Sequence, residues 1–231
     1  MKKNKVRFVV KNPGMLEYDV AIPQPASKFA PSWFSDIPNY RIENQTSIIK
    51  TATAKSCPSF LDTFKEGYVI PAPCDIYFMV DAGGAWRWRT NSEWVTAEIH
   101  TNDILVDYMP KSSNVRQVFK LVLPFSVHTS KGIWMRQVPM FWEYNKDFHV
   151  AYGQMNTNKI HEVNIQVLYT SDKNEIIIKQ GTPLCTYVPF RKEKFDTKLI
   201  ETNSKIERAE AVYKFGVTSK FKGGYYHNVR D

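Results

Sequence analysis

The stretch Ile76-Tyr-Phe-Met-Val80 is followed by Gly83-Gly84 and then by Trp86-Arg-Trp-Arg89. Two apolar runs on either side of a Gly-Gly pair are typical of a β-hairpin, because glycine adopts the positive φ angles of tight hairpin turns at low cost. Side chains alternate across a strand, so the two tryptophans point to one face and the two arginines to the other. The stretch therefore predicts antiparallel β structure.

The same β pattern continues over most of the chain from Tyr68 to Phe190. Short runs of β-branched and aromatic residues recur with turn residues between them, which is typical of a sandwich or a distorted barrel. We therefore predict a mainly β fold, built as a jelly-roll sandwich or a distorted barrel. The further candidate strands are Thr46–Ala52, Gln117–Leu123, Gly132–Gln137, Phe148–Tyr152, Val163–Tyr169, Glu175–Lys179 and Leu184–Val188.

Two segments carry helix signals. The segment Cys57-Pro-Ser-Phe-Leu-Asp-Thr-Phe-Lys-Glu-Gly67 has proline in its first turn and glycine after its last, where a left-handed residue ends a helix. It predicts one short helix near 58–66. Near the C-terminus, Ser204-Lys-Ile-Glu207 is a capping box. It predicts a second helix near 204–215.

These signals divide the chain into three parts. Residues 1–45 are rich in proline and predict an irregular N-terminal arm, in which Trp33 and Phe34 pack either on their own core or on a neighbour. Residues 46–190 form the predicted β core. Residues 191–231 form a predicted helical and flexible C-terminal extension.

The composition is that of a globular protein with many aromatic side chains. Of the 231 residues, 43% are hydrophobic, 23% are charged and 14% are aromatic. These proportions exclude an intrinsically disordered chain. Large flat side chains suit sheet faces and interfaces, so the aromatic share agrees with a β fold that presents contact surfaces.

The formal net charge is +8. A basic chain attracts nucleic acid and other polyanions through counterion release. Here the basic residues are scattered, and the denser groups are Lys2–Arg7 and Arg191–Lys194. Neither group is a basic arm, so the charge favours a solvated basic surface and leaves nucleic acid as an alternative partner.

The chain shows no targeting signal. No run reaches the roughly 20 apolar residues of a membrane helix, and the charged start is followed only by Phe8-Val9-Val10, far short of a signal peptide. The three cysteines, Cys57, Cys74 and Cys185, lack Cys-x-x-Cys spacing and predict structural thiols in a reducing compartment. We expect a chain that is not secreted and has no transmembrane segment.

Three segments near the C-terminal end of the predicted core resemble a known family. They are Tyr152-Gly-Gln-Met-Asn-Thr-Asn158, Val163-Asn-Ile-Gln-Val-Leu168 and Ile176-Ile-Ile-Lys-Gln-Gly-Thr-Pro-Leu184. Their order and spacing resemble the core of trimeric dUTP pyrophosphatases and dCTP deaminases, where a Gly-x-Ile-Asp-x-Asp-Tyr turn feeds a strand and an Ile-x-x-Gly-Asp-x-Ile turn leads into the closing strand. The resemblance covers residues 117–190 and implies a β-clip-like core.

The same resemblance does not carry the family's catalytic groups. The position of the catalytic Asp falls on Asn156, and that of the Tyr that stacks on deoxyribose falls on Lys159. An amide cannot act as a general base near neutral pH. The phosphate-gripping turn falls near 137–140, next to Arg136. We predict no catalytic residue, and we take Arg136, Asn156 and Asn158 as candidate ligand-binding residues.

A second resemblance covers more of the chain, from about residue 20 to residue 195. The segments that carry it are Pro23–Phe34, Cys57–Asp62, Gly67–Pro71, Asp75 and Gly181–Arg191. Together they resemble an uncharacterised family of proteins found mainly in T4-like marine phages. This resemblance implies a phage protein that acts in the host cytoplasm or in the virion, and it implies no activity.

The remaining motifs leave one further candidate site. The five histidines have no mutual metal-ligand spacing, and no phosphate-binding glycine loop occurs, so we predict no metal and no cofactor. In Trp86-Arg-Trp-Arg89, tryptophans and arginines alternate as they do where sheets bind single-stranded nucleic acid. Trp86, Arg87 and Arg89 are therefore candidate ligand-binding residues, and the competing interpretation is core tryptophans with solvated arginines.

Three functional hypotheses follow. The leading one is a non-enzymatic, phage-type structural or interaction protein that assembles with itself or with other virion proteins through its β core. The second is a nucleotide-binding protein or a dUTP pyrophosphatase-like nucleotide hydrolase with an altered site. The third is a basic nucleic-acid-binding protein. None of the three involves a membrane.

Overall fold

The fold is seen in a computed structural model, and its described part is mainly β, as predicted. Two short helices accompany the strands, α1 (Ser32–Asp36) and α2 (Pro58–Thr63), and α2 confirms the helix predicted near 58–66. The predicted helix near 204–215 lies outside the described residues. The described residues are 4–17, 21–42, 50–81, 83, 85–140, 142–143 and 145–197.

The strands run through almost the whole of the first of two compact units, residues 1–192; the second unit comprises residues 193–231. They are β1 (Val6–Val10), β2 (Gln24–Pro25), β3 (Tyr40–Ile42), β4 (Lys50–Ala52), β5 (Tyr68–Pro71), β6 (Ile76–Val80), β7 (Trp86–Thr90), β8 (Thr96–His100), β9 (Gln117–Thr129), β10 (Ile133–Pro139), β11 (Phe148–Val150), β12 (Gly153–Met155), β13 (Glu162–Tyr169), β14 (Glu175–Ile178) and β15 (Pro183–Arg191). Every predicted strand corresponds to one of these, although residues 46–49 of the first candidate are not described. The division of the chain at residues 45 and 190 stays a prediction.

Three antiparallel sheets share one hydrophobic core. In the first sheet, β9 pairs along one edge with β13, and β13 pairs with β11. Along its other edge, β9 pairs first with β8 and then with β1. The second sheet has the order β12-β10-β15-β5-β2, and the third has the order β14-β6-β7. A separate β3–β4 hairpin completes the described strands. No described helix is both long enough and apolar enough to cross a membrane.

The predicted hairpin is confirmed in the third sheet. Strands β6 and β7 pair antiparallel with Val80 opposite Trp86, and the Asp81 carboxylate accepts a hydrogen bond of 2.8 Å from the Ala85 N–H beside the turn. Gly84 lies outside the described residues. Trp86 and Trp88 pack against the core, while Arg87 and Arg89 are exposed, as the alternation of side chains requires.

The central strand β9 is longer than its candidate segment, which ends at Leu123. Pro124 does not end the strand because no neighbour requires the N–H that proline lacks. Pairing with β8 ends at Val122 and pairing with β1 begins at Phe125. On the other edge, the register with β13 shifts at the same place, as in a β-bulge.

Strand β1 is a finding that the sequence analysis did not anticipate. Residues 6–10 lie in the segment expected to be irregular, yet they pair with residues 125–129 of β9. Val6, Phe8 and Val10 face the core, whereas Val9 is exposed. The five residues Val6-Arg-Phe-Val-Val10 are rich in β-branched and aromatic side chains, and pairing with β9 fixes them as a strand.

Arg116 ties the first sheet to the third. One terminal nitrogen of its guanidinium donates hydrogen bonds of 3.0 and 2.9 Å to the carbonyls of Ser171 and Lys173. The other donates to the carbonyls of Val80 and Asp81 at 3.2 and 3.4 Å. Four carbonyl acceptors satisfy this side chain, so its role is structural.

Gly67 and Gly132 provide a matched test of the packing beside the second sheet. Both have a φ of +81°, but a Cβ at position 67 would lie 2.5 Å from the Tyr187 carbonyl oxygen, and a Cβ at position 132 would meet nothing within 4 Å. We expect Gly132→Ala to lower the free energy of unfolding by about 1–2 kcal/mol through backbone strain alone. Gly67→Ala should cost about 1–3 kcal/mol more, because the backbone must shift. Urea denaturation measures both, and equal losses would contradict the close approach.

A stacked histidine pair lies on the solvent side of the first sheet. The rings of His128 and His161 are 4.1 Å apart with an angle of 21° between them. Ser126 Oγ lies 3.1 Å from His128 Nε2, and Arg7 of β1 stands opposite His128. Desolvation, and then the nearby His161 and Arg7, lower the pKa of His128.

This pKa shift predicts a pH-dependent stability. The folded chain resists protonation of His128, whereas the unfolded chain takes up the proton near pH 6.5, the ordinary value for histidine. The free energy of unfolding should therefore fall as the pH is lowered from about 6.5 towards the folded pKa. Denaturation between neutral and mildly acidic pH should show a shallower fall for His128→Gln, while exposed His149→Gln serves as the control. A wild-type slope retained in His128→Gln would refute this assignment.

Candidate interaction face

The second sheet has one face in the core and one face directed outward. Met135 and Tyr187 are fully buried among core residues, and the buried Tyr187 hydroxyl donates a hydrogen bond of 3.2 Å to Gln137. Side chains alternate along a strand, so the residues next to Met135 in β10 and next to Tyr187 in β15 point to the opposite side. Trp134 and Arg136 of β10 stand there opposite Phe190 and Val188 of β15.

Three of these outward side chains and Lys192, which follows β15, form a continuous row that we call the cation–aromatic strip. Its members are Arg136, Phe190, Trp134 and Lys192. The Arg136 guanidinium lies 4.6 Å from the centre of the Phe190 ring. The rings of Phe190 and Trp134 are 6.5 Å apart and meet at 61°. The Lys192 ammonium lies 4.5 Å from the centre of the Trp134 ring. The strip therefore places two adjacent rings between two cations across two paired strands.

Arg136 is the most unusual member of the strip. Its Nε atom is buried and has no hydrogen-bond acceptor among the described residues. No described carboxylate forms an ion pair with Arg136 or Lys192. A buried donor without an acceptor costs about 1–3 kcal/mol. The residues opposite Arg136 on either side, Gln154 and Val188, are uncharged.

The turn at residues 153–158 lies beside the start of β10. The Asn158 side-chain amide donates a hydrogen bond of 2.9 Å to the Ile133 carbonyl. Asn156 Oδ1 accepts a hydrogen bond of 3.2 Å from the Asn158 N–H. Thr157 between them is fully buried and lies within hydrogen-bonding distance, 2.6 Å, of the Thr129 hydroxyl. Asn156 therefore holds the turn together, and Asn158 ties it to the strand that carries Arg136.

The other candidate residues lie on a different sheet. Trp86 is partly buried and packs edge-on against Phe119 at 6.0 Å between ring centres. Arg89 lies on the outer side of the third sheet, 4.4 Å from the centre of the Tyr77 ring, and Arg87 is exposed on the same strand. The structure thus separates Trp86 from the two arginines and places all three apart from the second sheet.

A second set of aromatic side chains, which we call the aromatic cluster, joins α1, α2 and the loop after β10. It consists of Trp33, Phe34, Phe60, Phe64 and Trp142. Phe34 lies 5.4 Å from Phe60 and 4.8 Å from Phe64, and Phe60 stacks on Trp142 at 4.6 Å. Trp33 and Trp142 are 39% and 41% exposed. The predicted packing of the Trp33–Phe34 pair is thus against α2.

The aromatic cluster adjoins the outer face of the second sheet. Thr186 points outward from β15 and lies 3.7 Å from the sulfur of Met140, two residues before Trp142. Gly67, three residues after Phe64, approaches the same part of β15. Thr186 is 2% exposed. The outer face is therefore covered at Thr186, and the cation–aromatic strip lies further along β15.

Trp142 adopts an unusual backbone conformation. Its φ is +63°, a region that costs a residue with a large side chain about 1–3 kcal/mol. The stacking of its ring on Phe60 offsets part of this cost. Neither the conformation nor the contact has a local sequence signal, so sequence analysis missed this member of the cluster.

Titratable side chains near the core are in unreactive states. Burial, followed by the nearby Asp75 carboxylate, raises the pKa of the Cys74 thiol to about 11. Burial also raises the pKa values of Cys185 and Tyr187. All three cysteines are free thiols. Cys74 and Cys185 are therefore protonated near neutral pH and are poor nucleophiles.

Two carboxylates have lowered pKa values because they accept hydrogen bonds, and these hydrogen bonds hold loops in place. The Asp75 carboxylate accepts hydrogen bonds from the Gln180 N–H and from Lys179, both at 2.9 Å, and the first contributes most to its lowered pKa. The Asp147 carboxylate accepts hydrogen bonds from Ser171 and Lys173, which lower its pKa in that order. Both shifts are opposite to the upward shift that prepares a carboxylate as a general base near pH 7.

A cavity of about 830 Å³ lies away from the second sheet's outer face. Its lining includes Met15, Cys74, Asn91, Trp94 and Gln180. Its amide side chains are engaged, since Asn91 accepts a hydrogen bond from the N–H of Asp75 and Gln180 donates one to the carbonyl of Pro73. Across the described ranges, no group of three or more His, Cys, Asp or Glu side chains is placed to hold a metal ion.

Comparisons with known proteins give similarities to solved structures. No family model matches the sequence, and no curated protein matches it. Among solved structures, the chain is similar to a point mutant of the dUTPase from phage phi11 of S. aureus, whose structure was described for its coordination of a structural Mg(II) ion. The TM-score is 0.37 and the identity is 9%, over 87% of this chain and 99% of that chain. Similarity at this level carries no inference about activity.

Proposed function

We propose that this chain is a non-enzymatic interaction protein that assembles with further copies of itself through the aromatic cluster. The observation that carries the proposal is the group of five aromatic side chains in mutual contact, two of them tryptophans about 40% exposed. Trp33 and Trp142 are the exposed part of the cluster, and exposed apolar side chains grouped in this way mark interaction sites. Tryptophan anchors also contribute a large share of the binding energy where interfaces form.

The local charge favours a second copy as the partner. Two copies of a chain with a net charge of +8 repel each other, so they associate best where that charge is locally offset. Carboxylates outnumber ammonium groups in α1, in residues 54–66 and in residues 142–143, which carry the aromatic cluster. Those charged residues are Asp36, Asp62, Glu66 and Glu143 against Lys55 and Lys65.

The contacts and protonation states of several side chains support the proposal that the chain is not an enzyme. The turn that resembles a dUTP pyrophosphatase motif has Asn156 and Asn158, whose amides hold the turn together and onto β10. Cys74 and Cys185 are protonated, and Asp75 is held in an ion pair. Release of pyrophosphate from deoxynucleotides would favour the alternative of an altered nucleotide hydrolase.

The biological setting rests on the sequence resemblance to T4-like marine phage proteins. In that setting, the assembled protein is a component of the virion or acts in the host cytoplasm during infection. The predicted N-terminal arm, residues 1–45, contributes Trp33 and Phe34 to the aromatic cluster. We therefore propose that the arm helps to form the contact between copies.

Analytical ultracentrifugation tests the proposed assembly. At micromolar concentration the wild-type chain should sediment as a species larger than its 26.8 kDa monomer. The double variant Trp33→Ser, Trp142→Gly should be monomeric, because loss of one tryptophan anchor weakens binding by about 2 kcal/mol, or roughly 30-fold. Glycine at position 142 is compatible with the positive φ.

Tyr108→Ser provides the control, since Tyr108 is 81% exposed and lies outside the aromatic cluster. This variant should sediment as the wild type does. Circular dichroism of all variants checks that each chain is folded. A wild-type chain that stays monomeric over the whole concentration range would refute self-assembly, and dissociation caused equally by Tyr108→Ser would refute the assigned surface.

A further inference from the structure

The geometry points to a second binding surface: we propose that the cation–aromatic strip binds single-stranded nucleic acid. This inference goes beyond self-assembly, because the strip and the aromatic cluster contain different residues. It also differs from the alternating motif in β7, whose Trp86 packs on the core. The strip instead places two partly exposed rings, a partly exposed arginine and the exposed Lys192 on the outward face of the β10–β15 pair.

Arg136 supplies the phosphate-binding group. Its guanidinium is held against the sheet surface by its contact with Phe190, and its buried Nε has no acceptor in the described part of the chain. A phosphate oxygen is an acceptor that suits the planar set of guanidinium donors. Binding at the terminal guanidinium nitrogens would therefore give Arg136 an anionic partner, which no described carboxylate provides.

Trp134 and Phe190 supply the surfaces for bases. Bases stack on aromatic side chains with little regard to sequence, because every base has a π face. The Lys192 ammonium covers one face of Trp134, but lysine is flexible and an exposed cation–π contact contributes less than a stacked base. A bound strand would draw Lys192 from the ring to a phosphate and leave that face to a base.

The charge and shape of the strip select this ligand class. Neither Arg136 nor Lys192 forms an ion pair with a described carboxylate. Duplex DNA offers phosphates but keeps its base faces stacked, and an acidic peptide offers carboxylates without bases. A single strand offers both phosphates and free base faces.

Fluorescence anisotropy of a labelled oligothymidylate tests the proposal with the full-length chain. Affinity should fall linearly with salt on logarithmic axes, and two phosphate contacts contribute about −1.4 to the slope for a single strand. Arg136→Gln with Lys192→Gln should bind more weakly and lose about 1.4 from that slope. Arg87→Gln with Arg89→Gln removes the same charge from the third sheet and should leave the slope unchanged.

A third variant separates stacking from charge. Trp134→Leu should weaken binding by about tenfold with little change in the salt slope, because it removes a stacking surface and no charge. Thermal unfolding checks each variant. Lys192→Gln alone, at an exposed position just after β15, repeats the test without altering a half-buried side chain and should lose about 0.7 from the slope.

Three results would overturn the proposal. They are an oligothymidylate that does not bind the wild-type chain at low salt, equal losses from the two arginine-containing double variants, and unchanged affinity in Trp134→Leu. The monomeric variant Trp33→Ser, Trp142→Gly should still bind the oligothymidylate. Failure of the self-assembly proposal is therefore distinguishable from failure of this one.

Discussion

The pairing of β9 with strands on both of its edges is the constraint on which the rest of the structure depends. β13 occupies one edge, and β8 and β1 share the other on either side of Pro124. The inward row from Phe119 to Val127 is at most 1% exposed and forms the floor of the core. A central strand paired on both edges buries its backbone polar groups without cost, so the other two sheets can pack against its inward face.

That packing gives the second sheet its two different faces. Tyr187 and Met135 point into the core, and the same alternation places Arg136 and Phe190 on the opposite side. Once the register of β10 and β15 is set by the core, the outer row is set with it. The outward positions of the cation–aromatic strip and of the covered Thr186 are therefore consequences of one strand pairing.

Local signals account for the features that the sequence predicted well. The β6–β7 hairpin has alternating runs around glycine, and α2 has Pro58 at its start, so both were predicted with nearly correct bounds. Features that depend on distant partners were missed. β1 pairs with the edge of β9, and Arg136 reaches Phe190, as Trp134 reaches Lys192, only through the register of β10 with β15. No motif spacing encodes such a register.

Hydrogen–deuterium exchange of the full chain tests most directly whether the outer face of the second sheet is the interaction face. Exchange should slow in α1 and α2 when the protein is concentrated, and in β10 and the end of β15 when oligothymidylate is added. The interior of β9 should exchange slowly in every condition. Protection that appears only at the β7 or β14 edges of the third sheet, or no change in any condition, would contradict this account.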